Sequence, residues 1–236
     1  MDWSFTANTS TELAHIGKAL FNASKQKHLD EQMQMARLLE ALSTTPVLQY
    51  PVRVRHTGET GTPDFQLESG GQRIGAEVSK IAVQDVEHAR GLQGKELKGT
   101  LAISSLYQTQ SKPRTKDEVI AEGFITPSFV SPVTVAEYNS IWLNAVTAEL
   151  EDKTIVLQSG HFDRGVEDWL VLWDRIGTAE DEVEQRIESV CSILASRWKL
   201  GWYSHVFLQD ESFRWSVMFT SSGHLLFDSS GSGRTP

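Results

Sequence analysis

The residues best suited to chemistry are two carboxylates on one predicted hairpin. The stretch Thr62-Pro63-Asp64-Phe65-Gln66-Leu67-Glu68-Ser69-Gly70-Gly71-Gln72-Arg73-Ile74-Gly75-Ala76-Glu77-Val78-Ser79-Lys80-Ile81 reads as two strands and the turn between them. Asp64 to Glu68 alternates polar with apolar. Ser69 to Gln72 is a hairpin loop, because paired glycines supply the positive φ angles of tight turns. Alternation along the return strand puts Ile74, Ala76 and Val78 on one face and Gly75, Glu77 and Ser79 on the other. Asp64 opens the first strand and Glu77 sits inside the second, with the small Gly75 leaving room beside it. Carboxylates held together on adjacent strands repel each other unless a cation lies between them. Hard oxygen donors of this kind suit Mg²⁺ or Mn²⁺. The plainer reading is a hairpin with two solvated acids.

A third acid belongs to the predicted helix over 25–43. On a wheel of 100° per residue, Met35, Leu38 and Leu42 cluster about Glu31, and Ala36 and Leu39 widen the same arc. Glu31 thus projects from an apolar face, where an acid needs compensation, unless its place near the helix start lets it reach water and the helix dipole. Glu40 falls on the opposite side.

The elements that must position these acids follow in order. Val52 to His56 alternates strictly and reads as a strand, with the hairpin strands near 63–68 and 73–80 after it. Residues 82–138 are the least readable stretch: Val86 to Tyr107 fits a helix interrupted by Gly91, Gly94 and Gly99, and Lys95, Lys98, Lys112, Arg114 and Lys116 are read either as ordinary solvated surface or as a phosphate-contacting flap. Val135 to about Asp152 reads as a helix. Lys153 to Leu157 fits either its continuation or a strand. The apolar run Trp169 to Trp173 is a strand buried on both faces. A helix follows over 179–198, then a strand over 203–208 and a terminal hairpin over 213–227. The tail 229–236 is polar and expected to be disordered.

The chain of 236 residues is 39% hydrophobic, enough for a sizeable core, and carries a net charge of −9. That charge argues against a generally basic nucleic-acid coat but not against a local patch. Its one cysteine, Cys191, excludes an intrachain disulfide framework and fits a reducing compartment. Its thiol reads as a buried side chain, and His205 as a structural histidine. The tryptophans read as core, with Trp198 and Trp202 either packed or available to stack bases. The start has no signal-peptide pattern and no apolar run reaches membrane-spanning length, so a cytoplasmic protein is expected.

The element order, the helix acid, Pro63-Asp64 and Glu77-Val78-Ser79 together resemble the PD-(D/E)xK nuclease superfamily, restriction-endonuclease-like with an E-V-S variant of the ExK element, Glu31 matching in relative placement the helix acid of its resolvase-like branch. The phrase Arg73-Ile74-Gly75-Ala76-Glu77-Val78-Ser79 also looks like the "IGxEVT" variant of such proteins. The resemblance covers 25–81 and, more loosely, 139–210. It implies a single α/β domain over 1–228, a three-layer sandwich with a central mixed sheet flanked by helices, in which 82–138 is an insertion. It implies metal-dependent phosphodiester hydrolysis, with Mg²⁺ or Mn²⁺ held by Asp64, Glu77 and the Val78 carbonyl. Glu31 would serve a second ion or orient water. The superfamily's lysine position is Ser79 here, so Lys153 or Lys80 would have to replace it, and a structural Lys153 at a helix end is the alternative. The implied partner is nucleic acid, DNA before RNA, with a second copy of the chain as a further partner and no membrane. A nuclease fold that has lost activity and acts as a binding module is the competing expectation.

Overall fold

The computed structural model describes residues 4–16, 29–57, 62–82, 135–159, 167–176, 183–198, 201–210, 215–228 and 233–234. The chain divides into two compact units, Met1–Lys80 with Glu149–Pro236, and Ile81–Ala148. Almost all of the expected insertion at 82–138, including Lys95, Lys98, Lys112, Arg114 and Lys116, lies outside the described residues.

The fold is α/β. Among the described residues, nine strands join in one sheet in chain order. β1 (Ser4–Ala7), β2 (Val52–His56), β3 (Phe65–Ser69) and β4 (Gln72–Ile81) form an antiparallel meander. β5 (Glu167–Asp174) and β6 (His205–Asp210) are parallel, with Trp169 opposite His205 and Asp174 opposite Asp210. β7 (Trp215–Thr220), β8 (Gly223–Asp228) and β9 (Gly233–Arg234) complete the sheet in antiparallel fashion. Parallel neighbours need a crossover, and the stretch between β5 and β6 carries the helix α4 (Val183–Ala195). The sheet is therefore mixed. The tail, expected to carry no structure, contributes β9. The short β1 was not legible as a strand.

The β3–β4 hairpin pairs Ser69 with Gln72, so Gly70 and Gly71 alone form the loop. Their φ angles of 57° and 80° place both in the left-handed region that a type I′ turn requires and that residues with a Cβ avoid. This turn fixes the register, and the register decides which side chains share a face.

One face of the meander is apolar. Val52, Val54, Phe65, Leu67, Ile74 and Ala76 join a core with Met35, Ala36, Leu38, Leu39 and Leu42 of the helix α2 (Leu29–Leu42). The i, i+3, i+4, i+7 spacing of those helix residues supplies the stripe that covers the sheet, and α2 packs against β5 as well. The opposite face of the meander carries Arg53, Arg55, Gln66, Glu68, Arg73, Glu77 and Ser79 by strict alternation. The four-residue helix α1 (Ser10–Leu13) follows β1, capped by the Thr9 hydroxyl at the Glu12 N–H.

The helix α3 runs from Val135 to Gln158 without a break, so Lys153 to Leu157 continues it. Trp142 and Val146 are buried in the second unit, and Leu150 and Leu157 in the first. Among the described residues no helix is long and apolar enough to cross a membrane.

Candidate metal centre

β3 begins with Phe65 opposite Ala76, and the residue before it, Asp64, reaches the Val78 N–H of β4, which brings its carboxylate into the neighbourhood of Glu77. Asp64 is anchored on both sides of its chain. Its carbonyl accepts from the Thr57 N–H at 2.9 Å, and the Thr57 hydroxyl bonds the carbonyl of Pro63. Its carboxylate Oδ2 accepts from the Val78 N–H at 2.8 Å. Pro63 thus leads into β3 through a fixed bend rather than a free loop.

Burial pushes the Asp64 carboxyl up to about 7, and the neighbouring Glu77 charge adds to the rise. The Val78 N–H opposes it, Glu31 adds a smaller upward push, and Lys153 pulls the other way. The first two effects are the ordinary consequences of taking a carboxyl out of water and placing a like charge beside it. They mark a place where positive charge is in deficit.

Lys153 is the nearest answer to that deficit. Its Nζ donates to Glu77 Oε1 at 2.8 Å, both side chains being largely buried. Burial alone would lower its pKa, but Glu77, then Glu149 and Asp64, outweigh it and the net shift is upward. Lys153 is not a helix-end cap, since α3 continues past it to Gln158. One turn earlier on α3, Glu149 accepts from the Ser79 hydroxyl. The two contacts form a ladder, because four helical residues rise about 6 Å and two strand residues about 6.8 Å. Glu149 and Lys153 therefore meet Ser79 and Glu77 in turn. This part of α3 covers the face of β4 opposite to that packed by α2, so the first unit has helices on both faces of its sheet.

Contacts of the neighbouring residues fix this turn of α3. The Trp202 indole N–H donates to the Thr154 hydroxyl at 3.0 Å, and Arg197 Nη2 lies 3.6 Å from Glu151 Oε1. Trp198 and Trp202 meet edge to face at 5.3 Å, so these tryptophans pack beside α3. Gly75 does not leave open room. A Cβ there would stand 3.0 Å from Asp168 Oδ1 and 3.2 Å from Pro63 Cγ. Only glycine lets buried Asp168 on β5 and the proline ahead of Asp64 come this close to β4.

Glu31 lies in the first turn of α2, half-exposed, with Oε2 3.4 Å from His56 Nε2. It reaches Asp64 through charge rather than by joining a tight triad. Among the described residues, no three His, Cys, Asp or Glu side chains gather closely enough to hold a metal by themselves. Asp64 and Glu77, whose charges act on each other, offer oxygen ligands. Their number fits Mg²⁺, which takes one or two protein carboxylates and completes its shell with water and substrate phosphate. Lys80 is exposed, and alternation puts it on the other face of β4 from Glu77.

Sequence reasoning missed Glu149 and His56. The i, i+4 spacing of Glu149 to Lys153 was the available signal for the first. His56 had one in the strict alternation of β2, which turns it inward. Cys191 faces His224 Nδ1 at 3.6 Å, and burial raises its thiol pKa, away from nucleophilic use. Burial lowers the His205 pKa, with Glu167 3.8 Å from its Nδ1 opposing the shift.

Comparison of the chain with protein-family profiles, with curated proteins and with solved structures finds no significant match.

Proposed function

We propose that the protein is a metal-dependent nuclease of the PD-(D/E)xK kind, with a restriction-endonuclease-like fold, acting on phosphodiester bonds in DNA or RNA. The observation that carries this reading is the 2.8 Å contact of Lys153 with Glu77, beside an Asp64 whose carboxyl is pushed upward by burial and then by that same Glu77. Three residue types meet that the reaction needs, and Lys153 replaces the lysine missing at Ser79. Asp64 and Glu77, with the Val78 carbonyl by resemblance, are the groups that would hold Mg²⁺ or Mn²⁺. The ion when bound acidifies a coordinated water and stabilises charge on the scissile phosphate.

The chain's own residues have separable tasks. The Val78 N–H fixes one oxygen of Asp64 and so orients the other. Lys153 keeps its proton at neutral pH, given its raised pKa. It therefore serves as a hydrogen-bond donor and a positive charge beside the phosphate rather than as a base. Glu149 and Trp202 act on it from a distance as positioning groups. Glu31 and His56 form a second polar pair at the β2 side, suited to orienting water.

Cleavage of single-stranded DNA, duplex DNA and RNA with added Mg²⁺ or Mn²⁺ tests the reading. Lys153→Ala should lower the cleavage rate about 10²–10⁴-fold, the range of a positioned proton donor, with Lys80→Ala close to wild type. A Lys153→Ala variant that cleaves at the wild-type rate would remove the lysine from the mechanism. The Lys153–Glu77 contact also carries a second reading, a binding module whose site charges are matched internally. That reading takes over if no nucleic acid is cleaved with either ion.

A further inference from the structure

On the outward face of the meander, toward the Gly70-Gly71 turn, lies a groove of about 440 Å³. Its charged walls are Arg53 and Arg55 of β2, Arg73 of β4 and Glu68 of β3. Three arginines converge there in a chain whose net charge is −9. All three are exposed. The acid among them, Glu68, pairs with Arg53 at 3.1 Å, but both side chains are open to solvent, at 64% and 49%. Such a surface pair contributes little and yields readily to a stronger anion. The hydroxyls of Ser4 and Thr6 line the β1 side.

The strands that line the groove run on toward the carboxylates. Arg55 is opposite Gln66 in the β2–β3 register, and Gln66 is opposite Gly75 in the β3–β4 register. Asp64 is two residues before Gln66 on the same face of its chain, and Glu77 two residues beyond Gly75. One two-residue step is about 6.8 Å and one strand-to-strand step about 4.8 Å. Asp64 then stands about 8 Å and Glu77 about 12 Å from Arg55 across the sheet, within two further units of a nucleic-acid backbone.

We propose that this arginine groove binds the phosphodiester backbone of a nucleic-acid strand and feeds it to the Asp64–Glu77 pair, an inference that rests on the nuclease reading. Charge complementarity selects the occupant. Guanidinium groups fork onto phosphate oxygens in a bidentate way that lysines do not match. Repeated anionic charges along a strand suit arginines repeated at i and i+2. An acidic chain needs such a local patch to approach a polyanion at all.

The test uses the full chain in EDTA with a fluorescein-labelled oligothymidylate, and in parallel a labelled duplex, read by anisotropy over a salt series. The variant is Arg53→Gln/Arg55→Gln/Arg73→Gln, whose three changes are on the surface. Circular dichroism and melting confirm its folding. At least one of the two probes should bind wild type. The variant should bind that probe about 10-fold or more weaker, with a log K against log salt slope shallower by about 2 for three lost contacts. Mn²⁺ uptake reads the carboxylate pair alone and should be unchanged in this variant. Asp64→Asn should retain oligonucleotide binding while losing Mn²⁺. Loss of Mn²⁺ uptake in wild type with arginine-dependent binding intact would defeat the nuclease reading but leave the groove. Equal affinity and slope in the triple variant, or no binding of either probe by wild type, overturns the groove. Displacement by polyglutamate alone, or a dimer that the triple variant dissociates, overturns it in favour of an acidic protein segment or a second copy.

Discussion

On the nuclease reading, Asp64→Asn is expected to depress metal-dependent cleavage strongly and to stabilise the metal-free protein at the same time. Asparagine keeps the shape and the carbonyl oxygen that accepts from the Val78 N–H, so the hairpin is held as before. It removes the charge that burial and Glu77 disfavour. The sign follows from linkage. The Asp64 carboxyl lies at about 7 in the folded protein against a usual 3.8. Between those values the folded state binds more protons than the unfolded one. Wild-type stability should thus fall as pH rises from about 4 to about 7, and level off above it. Asp64→Asn should lack that fall and be more stable than wild type at pH 8, by an amount on the order of a few kcal/mol. Melting curves in EDTA at pH 5 and pH 8 measure this. Metal-dependent cleavage should drop about 10²–10³-fold or more, because the group acts on the transition state. A structural acid would show the opposite pairing, lower stability with activity retained in proportion to folded protein.

The second large effect belongs to the frame of the site. Asp174 closes β5 with no exposed surface, and Arg186 of α4, 2% exposed, reaches its Oδ2 at 3.3 Å. Asp174 Oδ1 also accepts from the Ile176 N–H at 2.9 Å. Opposite it on β6 stands Asp210, itself buried. Arg186→Met should cost about 3–5 kcal/mol, since it takes the guanidinium away from a carboxylate buried beside another acid. Asp174→Leu in that background should recover much of the loss, because the pair's attraction is offset by desolvation of both ions. Urea unfolding of the two variants measures both effects. A single-variant cost under about 1 kcal/mol would show that other groups carry Asp174. The link to function runs along β5, whose Asp168 packs on Gly75, two residues before Glu77 on β4.

The parts of this fold that were legible are those where local pattern and tertiary demand agree. Val52 to His56 alternates and forms β2 over those same residues. Gly70-Gly71 admits one turn type and so fixes the hairpin. Trp169 to Trp173 is apolar throughout because both of its faces are covered. Where the two disagree, sequence alone was ambiguous. Thr154, Ile155 and Val156 favour strands by propensity, yet Ile155 and Val156 are exposed on a helix. Contacts of the same turn with Glu77 and Trp202 override the propensity. β1 buries one of its four residues, too little pattern to read. The acids themselves were visible by type and order. What was not visible was the partner of each, since Lys153 with Glu77 and His56 with Glu31 are contacts between distant parts of the chain. Glu31 lay on the expected helix but at its first turn, where it leans to β2.

Calorimetric titration of the EDTA-stripped protein with Mn²⁺ tests the central claim most directly. Saturable binding in wild type should be lost or strongly weakened in both Asp64→Asn and Glu77→Gln, with each variant folded by circular dichroism and the Arg53→Gln/Arg55→Gln/Arg73→Gln protein binding as wild type does. Unchanged Mn²⁺ binding in the two carboxylate variants, or no binding by wild type at any ratio, would contradict a metal centre between β3 and β4.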